Sequence, residues 1–364
     1  MRLVTADGAV ELLAALVSTP SISGDEAATA EIIERFLADH GAAPKRCYNN
    51  VWAVAEGYDE AKPTLLLNSH HDTVKPAAGY SFDPFAAKIE EGRLYGLGSN
   101  DAGASVVALV ALFSRFSDTS ELPFNLVLAI TAQEENMGPE GMSAMLAEFK
   151  RCGIKISMAI VGEPTEMQAA LGEKGLVVID GQTTGISGHA ARNEGENAIY
   201  KALEDVALLR DFKFEKSGAV LGDVKVTVTQ ISAGTQHNVV PDLCRFVVDV
   251  RTTDAYSNEE VVRLLQGAVK HSTLTPRSVR LQPSAILPTH PLVEAARSIG
   301  RECFISPTLS DRALMRDFPA LKIGVGKSAR SHSADEYVEL AEIEQGISIY
   351  VSLLEKLAEY ETLE

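Results

Sequence analysis

The sequence predicts an α/β protein whose mostly parallel sheet is flanked by helices and which carries an inserted, ferredoxin-like α+β domain. Apolar strand-like runs alternate with helical periods as far as about residue 174. From residue 175 to 286 the order becomes β-α-β-β-α-β, the split βαβ arrangement. The first pattern resumes at residue 287, so we expect one domain over 1–174 and 287–364 and a second over 175–286.

Periods of 3.6 residues with capping residues predict the helices, and apolar runs predict the strands. In the first domain we expect helices over residues 6–16, 26–40, 102–116, 141–150, 291–301 and 340–358. Its expected strands cover residues 50–56, 64–68, 125–131, 158–161 and 321–324, of which 64–68 suits the middle of the sheet. In the second domain we expect strands over 176–184, 224–231, 243–251 and 278–283 and helices over 196–211 and 257–271.

Composition argues against several classes of function. The length of 364 residues exceeds the size at which one hydrophobic core stops growing, which favours two domains. A net charge of −17 argues against binding nucleic acid or an anionic membrane surface, because both attract clustered Lys and Arg. We expect no signal peptide and no membrane span, since no apolar stretch approaches ~20 residues. Four cysteines without paired spacing predict neither disulfides nor a thiolate metal site, and a cytoplasmic location is expected.

Five short segments place histidines and carboxylates in loops or at the ends of predicted strands, where ligands bind in open α/β sheets. In chain order they carry His70 with Asp72, Asp101, Glu134 with Glu135, Glu163, and His332. Each segment has an ordinary alternative when it is taken alone. His71 competes with His70, the adjacent glutamates suit a solvated loop, and the glycine-rich turn before Asp101 suits phosphate. That turn lacks the lysine of a P-loop, and the five segments together favour a single site.

Imidazole and carboxylate ligands without thiolate suit Zn²⁺ or Co²⁺ in a catalytic site. Two such ions about 3.5–4 Å apart can share a bridging carboxylate, for which Asp101 is the candidate. Two adjacent glutamates at a strand end point in different directions, so one can bind metal while the other acts as a general base. Asp72 lies two residues beyond His70 and can orient its imidazole. The residues therefore predict metal-assisted amide hydrolysis.

At these positions the sequence resembles the dinuclear zinc peptidases and deacylases that include acetylornithine deacetylase and succinyl-diaminopimelate desuccinylase. The resemblance runs from residues 20–23 to residues 332–337. It implies a catalytic metal-binding first domain with two Zn²⁺, which Co²⁺ can replace, and a cis peptide between Asp101 and Ala102. The metal ligands that it implies are His70, Asp101, Glu135, Glu163 and His332. It makes Glu134 the general base and Asp72 the carboxylate that orients His70.

The resemblance also extends to residues for the substrate. It implies that the second domain is a lid that forms a homodimer, and that His189 stabilises the oxyanion of a neighbouring active site. Asn238 and Arg251 match residues that contact substrate, with Arg251 a candidate partner for its α-carboxylate. Segments 310–312 and 324–330, the latter with Gly326 and Arg330, are expected to line the substrate end.

The expected activity is deacylation of an N-acyl amino acid, with N-acetyl-L-ornithine or an N-acylated citrulline in arginine biosynthesis as the leading substrates. Gly103 and Leu97 stand where the family commonly has lysine and arginine, so the exact branch is open. A dipeptidase or aminopeptidase is the nearest alternative. A non-catalytic amino-acid-binding protein and a nucleotide-binding α/β protein are alternatives of other classes.

Overall fold

The computed structural model describes residues 1–192 and 194–360, which form two compact units. Unit 1 contains Met1–Leu171, Ile286–Ile305 and the described residues from Ser310 onwards. Unit 2 contains Gly172–Ala285 and Ser306–Leu309. The sequence-based division places its boundaries at 174/175 and 286/287 and assigns residues 306–309 to the first domain, whereas unit 2 includes them.

Helices α1 to α8 span Ala6–Val17, Ala27–Asp39, Ala104–Arg115, Met142–Arg151, Ala198–Asp211, Asn258–Ala268, Pro291–Ser298 and Leu340–Leu357. Capping residues explain several of their starts. The hydroxyl of Thr5 accepts from the N–H of Gly8 at α1, and Ser257 forms a reciprocal capping box with Glu260 at α6. Helix α3 is apolar around its circumference and is buried along almost its whole length, as a core helix should be.

The strands β1 to β18 span Lys45–Cys47, Asn50–Val54, Thr64–His70, Lys88–Glu90, Arg93–Tyr95, Asn125–Thr131, Met158–Val161, Ala169–Glu173, Gly175–Thr184, Gly188–His189, Lys225–Ala233, Val239–Val240, Leu243–Thr252, Ser272–Pro276, Ser284–Ala285, Cys303–Ser306, Ala320–Lys322 and Tyr337–Glu339. The predicted strands 125–131 and 158–161 coincide with β6 and β7. Most other predicted elements differ by one to three residues at an end, which is usual because helix and strand termini fray.

The main sheet of unit 1 has the strand order β1-β2-β6-β3-β7-β17-β8. Its central strands β6, β3, β7 and β17 run parallel, whereas β2 and β8 are antiparallel to their neighbours β6 and β17. Every residue of β3 and β6 is buried, which agrees with their apolar sequences and central positions. The parallel strands direct their carboxyl ends to one edge of the sheet, and the expected α/β class is confirmed.

Unit 2 contains an antiparallel sheet of order β11-β13-β9-β14 with helices α5 and α6. The chain order β9-α5-β11-β13-α6-β14 is the predicted β-α-β-β-α-β order. Alternate residues of β9 and β13 are buried and form a core with the apolar faces of both helices. The predicted ferredoxin-like arrangement is therefore present.

The last strand of unit 2 was predicted at 278–283, and this prediction is wrong. The strand is β14, Ser272–Pro276, which pairs with β9. Residues 278–283 instead supply carbonyl oxygens to side chains: Asn258 donates to Val279 and Leu281 at 3.0 and 2.8 Å. These contacts, with a bond from the N–H of Leu176 to the carbonyl oxygen of Leu281 at 2.9 Å, hold the segment without a strand ladder. The alternating sequence alone does not distinguish such a segment from a strand.

Two further observations concern the whole described chain. The cysteines Cys47, Cys152, Cys244 and Cys303 are free. Within residues 1–192 and 194–360, no helix is both long enough and apolar enough to cross a bilayer.

Candidate metal centre

Parallel pairing brings together side chains that are far apart in sequence. In the register of the sheet, His70 at the end of β3 lies opposite Thr131 at the end of β6. Asn68 of β3 lies opposite Val161, the last residue of β7. The loops that follow these strands carry Glu134 and Glu163, which therefore extend beyond the same edge of the sheet as His70.

His70 is buried, and its two ring nitrogens have different surroundings. Nδ1 lies 3.0 Å from the carbonyl oxygen of Asp72, which can only accept, so Nδ1 carries the proton. Nε2 faces carboxylate oxygens of Asp101, Glu134 and Glu163 at 3.4, 3.9 and 3.8 Å. Burial alone would lower the pKa of His70, but Glu134 and Asp101 raise it well above its usual range. A nitrogen directed at three oxygens is the arrangement that a bound cation requires.

The carboxylate of Asp72 connects His70 to the segment that carries both glutamates. It accepts hydrogen bonds from the Ser23 hydroxyl at 2.6 Å and from the N–H groups of Glu134 and Glu135 at 3.0 and 3.2 Å. Burial opposes its ionisation, yet these donors and His70 lower the pKa of Asp72 to about 2. Asp72 therefore orients the backbone beneath Glu134 and Glu135 in addition to the expected contact with His70.

Asp101 lies in the turn Ser99–Gly103 that leads into α3, and the peptide bond between Asp101 and Ala102 is cis, as the resemblance implies. Its two carboxylate oxygens point to different histidines. Oδ1 lies 3.4 Å from Nε2 of His70, and Oδ2 lies 3.6 Å from Nε2 of His332. This is the geometry of a bridging carboxylate between two cation positions.

His332 also lies 2.9 Å from Oε1 of Glu135 through Nε2. Its side chain is half-exposed, at 52%, whereas that of Glu135 is 10% exposed. The hydrogen bond to Glu135 is the main cause that raises the pKa of His332 to about 9, and Asp101 adds to it. His332, Glu135 and the second oxygen of Asp101 thus lie together on the more open side of the centre.

The side chains present fit divalent cations. His70 forms one group with Asp101 and Glu135 and another with Glu134 and Glu163, and the ligand atoms of each group lie within 4.8 Å of one another. Burial, with the neighbouring carboxylates of Glu163 and Asp311, raises the pKa of Glu134 well above its usual range. Buried carboxylates at such density need protons or cations between them. The structure therefore brings together all seven unit 1 residues predicted as metal ligands, base and orienting acid.

Two alternatives from the sequence lose their support. His71 points away from the carboxylates, since Nε2 lies 3.0 Å from the carbonyl oxygen of Asn49 and Nδ1 lies 2.9 Å from the Thr29 hydroxyl. In the glycine-rich turn, the N–H groups of Asn100 and Asp101 both donate to Oε1 of Glu336 at 2.9 Å. These two groups are thereby occupied by a side chain and are not open to a phosphate.

Two buried acids near the centre, Glu336 and Asp311, received no role at the metal centre from the sequence. Burial and the charge of Asp101 raise the pKa of Glu336 to about 8. Asp311 accepts a hydrogen bond from the Thr131 hydroxyl at 2.6 Å, and burial raises its pKa to about 6. Glu336 follows His332 by four residues and Asp311 lies in the segment 310–312, so both stood in segments already singled out. The burial that raises the pKa of each acid could not be deduced from the sequence.

The predicted substrate residues of unit 1 have partners within that unit. Arg330 is 11% exposed, donates to both carboxylate oxygens of Glu342 at 2.6 and 3.2 Å, and covers the Tyr337 ring at 4.3 Å. Gly326 has a φ of +95°, and an added Cβ would meet Oδ1 of Asn100 at 2.4 Å. Arg312, in the segment 310–312, is buried and donates to the carbonyl oxygens of Ala170 and Leu171. These contacts hold the three residues in place within unit 1.

The predicted residues of unit 2 are exposed or half-exposed. His189 belongs to β10, which pairs with β12, and its Nδ1 accepts from the N–H of Ala191 at 3.1 Å. The carbonyl oxygen of Asn238 accepts from the N–H of Ala190 at 3.0 Å, so these two segments are neighbours. Arg251 pairs through Nε with Asp249 at 2.9 Å.

Curated relatives match the chain almost from end to end. A succinyl-diaminopimelate desuccinylase of Cereibacter sphaeroides is 29% identical over 377 residues, covering 95% of this chain and 97% of the relative. A protein of the same name from Delftia acidovorans is 26% identical and covers 96% of this chain and 97% of its own.

Solved structures share the fold. The aminopeptidase PepT of Bacillus cereus has a TM-score of 0.77 at 17% identity and covers 98% of this chain and 100% of its own. A dinuclear metal binding peptidase of the M20 family from Bacillus subtilis has a TM-score of 0.71 at 16% identity, with coverages of 96% and 97%.

A sequence model of peptidase family M20/M25/M40 matches residues 66–356, a range that contains the whole carboxylate and histidine cluster. Amide hydrolysis is the activity of a peptidase family, and the cluster provides the donors for metal ions. The chain therefore belongs to peptidase family M20/M25/M40 and is a metal-dependent amidohydrolase.

Proposed function

We propose that the protein removes the acyl group of an N-acyl amino acid with the aid of two Zn²⁺ ions. His70, Asp101 and Glu163 would hold the first ion, and Asp101, Glu135 and His332 the second. The observation that carries this proposal is the carboxylate of Asp101, whose oxygens lie 3.4 and 3.6 Å from two different histidines. Zinc follows from the nitrogen and oxygen donors, and Co²⁺ should replace it.

When bound, such ions polarise the scissile carbonyl and lower the pKa of a nearby water. Glu134 would take the proton of the attacking water and return it to the leaving amine. Its carboxylate supports this role because it is buried and lies 3.9 Å from Nε2 of His70. The carboxylate of Asp72 accepts a hydrogen bond from the backbone N–H of Glu134 and contacts the imidazole of His70. One carboxylate therefore positions both the proposed base and a proposed metal ligand.

Recognition of the substrate is proposed for residues outside this cluster. His189 would donate to the oxyanion, a type of contact that is worth about 2.7–4 kcal/mol in other hydrolases. Asn238, Gly326 and Arg330 would line the substrate site. Arg251 would bind the α-carboxylate, for which it must exchange its present partner Asp249. We also propose a cytoplasmic homodimer formed by unit 2, in which His189 serves the active site of the other subunit.

Two groups of substrates compete. The glycine-rich segment 324–330 favours N-acetyl-L-ornithine or an N-acylated citrulline, which belong to arginine biosynthesis. The curated relatives are named succinyl-diaminopimelate desuccinylases, and they match 95% of the chain. We propose the succinylated diamino acid as the leading substrate, because the similarity to these relatives covers both units. With this substrate the protein would act in lysine biosynthesis instead of arginine biosynthesis.

A turnover screen tests the proposal. Purified protein with added Zn²⁺ or Co²⁺ would receive acetylated and succinylated ornithine, citrulline and diaminopimelate, together with free-amine dipeptides. Faster release of amine from the N-acyl compounds than from dipeptides is expected. The reverse order would make the protein a dipeptidase, and metal binding without any turnover would favour an amino-acid-binding protein. Equilibrium dialysis with ATP tests the nucleotide alternative, and retention of ATP would contradict our assignment of the glycine-rich turn.

A further inference from the structure

The side chain of Glu336 closes the turn that carries the bridging aspartate. Glu336 is 1% exposed, and its Oε1 accepts from the N–H groups of Asn100 and Asp101, both at 2.9 Å. These two groups precede helix α3, so no helical carbonyl is available to them. One carboxylate oxygen therefore fixes the backbone immediately before and at Asp101.

A second set of contacts joins the turn of Asp101 to the segment that carries His332. In this set the turn supplies the side chain, that of Asn100, and the other segment supplies the backbone groups. Oδ1 of Asn100 accepts from the N–H of Lys327 at 2.8 Å, and Nδ2 of Asn100 donates to the carbonyl oxygen of Lys327 at 3.1 Å. The N–H of Gly96 donates to the carbonyl oxygen of Glu336 at 2.9 Å. His332 lies between Lys327 and Glu336 in the chain, so the segment that carries it is attached to the aspartate turn on both sides.

We propose that Glu336 is a positioning residue for the metal centre, a role that rests on the proposed ligands Asp101 and His332. It holds the backbone of Asp101 so that the two carboxylate oxygens face His70 and His332. It also fixes the distance between the aspartate turn and the loop of His332. Because Asp101 would contact both ions, loss of this support should weaken both sites together.

The test compares substitutions that keep or remove the acceptor oxygen. Glu336→Gln keeps Oε1 as an acceptor, whereas Glu336→Ala leaves the two buried N–H groups unpaired. The matched control is Glu344→Gln, the same chemical change on the exposed face of α8. Metal-free proteins would be titrated with Zn²⁺ in a calorimeter, and the visible absorption of bound Co²⁺ would report the geometry of the ligands.

We expect Glu336→Ala to lose about 10–100-fold in Zn²⁺ affinity at both sites and to change the Co²⁺ spectrum. Glu336→Gln should retain most of the affinity, and Glu344→Gln should equal the wild type. Unchanged affinity in folded Glu336→Ala would overturn the proposal, as would an equal loss in the Gln and Ala variants.

Three further outcomes can be distinguished. A lower melting temperature of the metal-free Ala variant with unchanged affinity would show a purely structural role and contradict positioning. If the Ala variant does not fold, Glu336→Asp takes its place, because the shorter side chain withdraws the acceptor, and unchanged affinity there overturns the proposal. Failure of the wild type to bind two ions would contradict the proposed function itself, independently of Glu336.

Discussion

Glu134 is the residue on which the proposed reaction depends most directly. Its carboxylate is buried beside His70 and Glu163, and its backbone is held by Asp72. The substitution Glu134→Gln keeps the size of the side chain but removes the base, so turnover should fall by about 10²–10⁴-fold. Metal content, measured by atomic emission, should not change.

The control for this variant is Glu121→Gln, which makes the same change at an exposed position. It should leave both turnover and metal content at wild-type values. Normal turnover by Glu134→Gln with full metal content would rule out the assigned base.

The protonation of His332 makes metal binding depend on pH. In the metal-free protein its pKa is raised to about 9, so the imidazole is charged at neutral pH. A metal ligand must be neutral, and ion binding at about pH 7.5 should therefore release this proton. Zn²⁺ affinity should therefore rise with pH from neutral towards about 9.

Calorimetric titration in buffers of different ionisation enthalpy counts the released protons. The variant His332→Ala should release about one proton fewer than the wild type. An equal proton count in the two proteins would contradict the assignment of His332 as a ligand.

At the scale of elements, the buried Asp205 of α5 determines where α6 ends and where β14 begins. Its carboxylate accepts from the N–H groups of Lys270, His271 and Ser272 at 2.7, 2.9 and 2.6 Å. The predicted helix 257–271 ends earlier, at Ala268, because these N–H groups bind Asp205 instead of helical carbonyls.

The substitution Asp205→Asn should lower the free energy of unfolding by about 1–3 kcal/mol, because an amide cannot accept all three bonds. Denaturant unfolding followed by circular dichroism measures this change. The exposed Asp211→Asn on the same helix is the control and should change stability by less than about 0.5 kcal/mol. A similar small effect in both variants would remove the role given to Asp205.

The sequence predicted the long elements well because their patterns are local. Strand β6 and helix α3 contain enough apolar residues for their period and burial to be evident. Strands of three residues such as β1, β5 and β18 carry no period, so they were missed. The positions of β14 and of the end of α6 depend on Asn258 and Asp205, whose partners are distant in sequence.

The same distinction between local patterns and contacts distant in sequence applies to the metal centre. His70, Asp101 and Glu135 lie in recognisable motifs at the ends of predicted elements, so sequence alone could single them out. Glu336 contacts Asn100 across 236 residues, and Asp311 contacts Thr131 across 180. Only the folded chain makes such contacts visible, because the partner of each acid is so distant in sequence.

At the scale of the whole molecule, we predict how the subunits assemble. We expect a dimer by mass in solution and a large loss of turnover in His189→Ala without loss of metal. If His189 acts on the other subunit, mixed dimers of Glu134→Gln and His189→Ala chains contain one complete active site. Co-expression of the two inactive variants should therefore restore part of the activity.

The reference for this experiment is a co-expression in which one chain carries both Glu134→Gln and His189→Ala. That chain lacks the base for its own active site and lacks His189 for the active site of its partner, so it cannot restore activity to either single variant. Absence of restored activity in a proven mixed dimer would place His189 and Glu134 in the same subunit. A fully active monomer would remove the exchange between subunits altogether.

The contact between Glu135 and His332 joins residues that are 197 positions apart. During synthesis, a chain that has emerged only through Glu163 contains every proposed ligand of the first ion but lacks His332 for the second. Such a chain also lacks Glu336, which holds the backbone of the Asp101 that both sites share. We therefore expect neither site to take its final geometry until translation has passed Glu336. Metal should accordingly enter both sites late in synthesis, and a nascent chain stopped at Glu163 should not retain Zn²⁺.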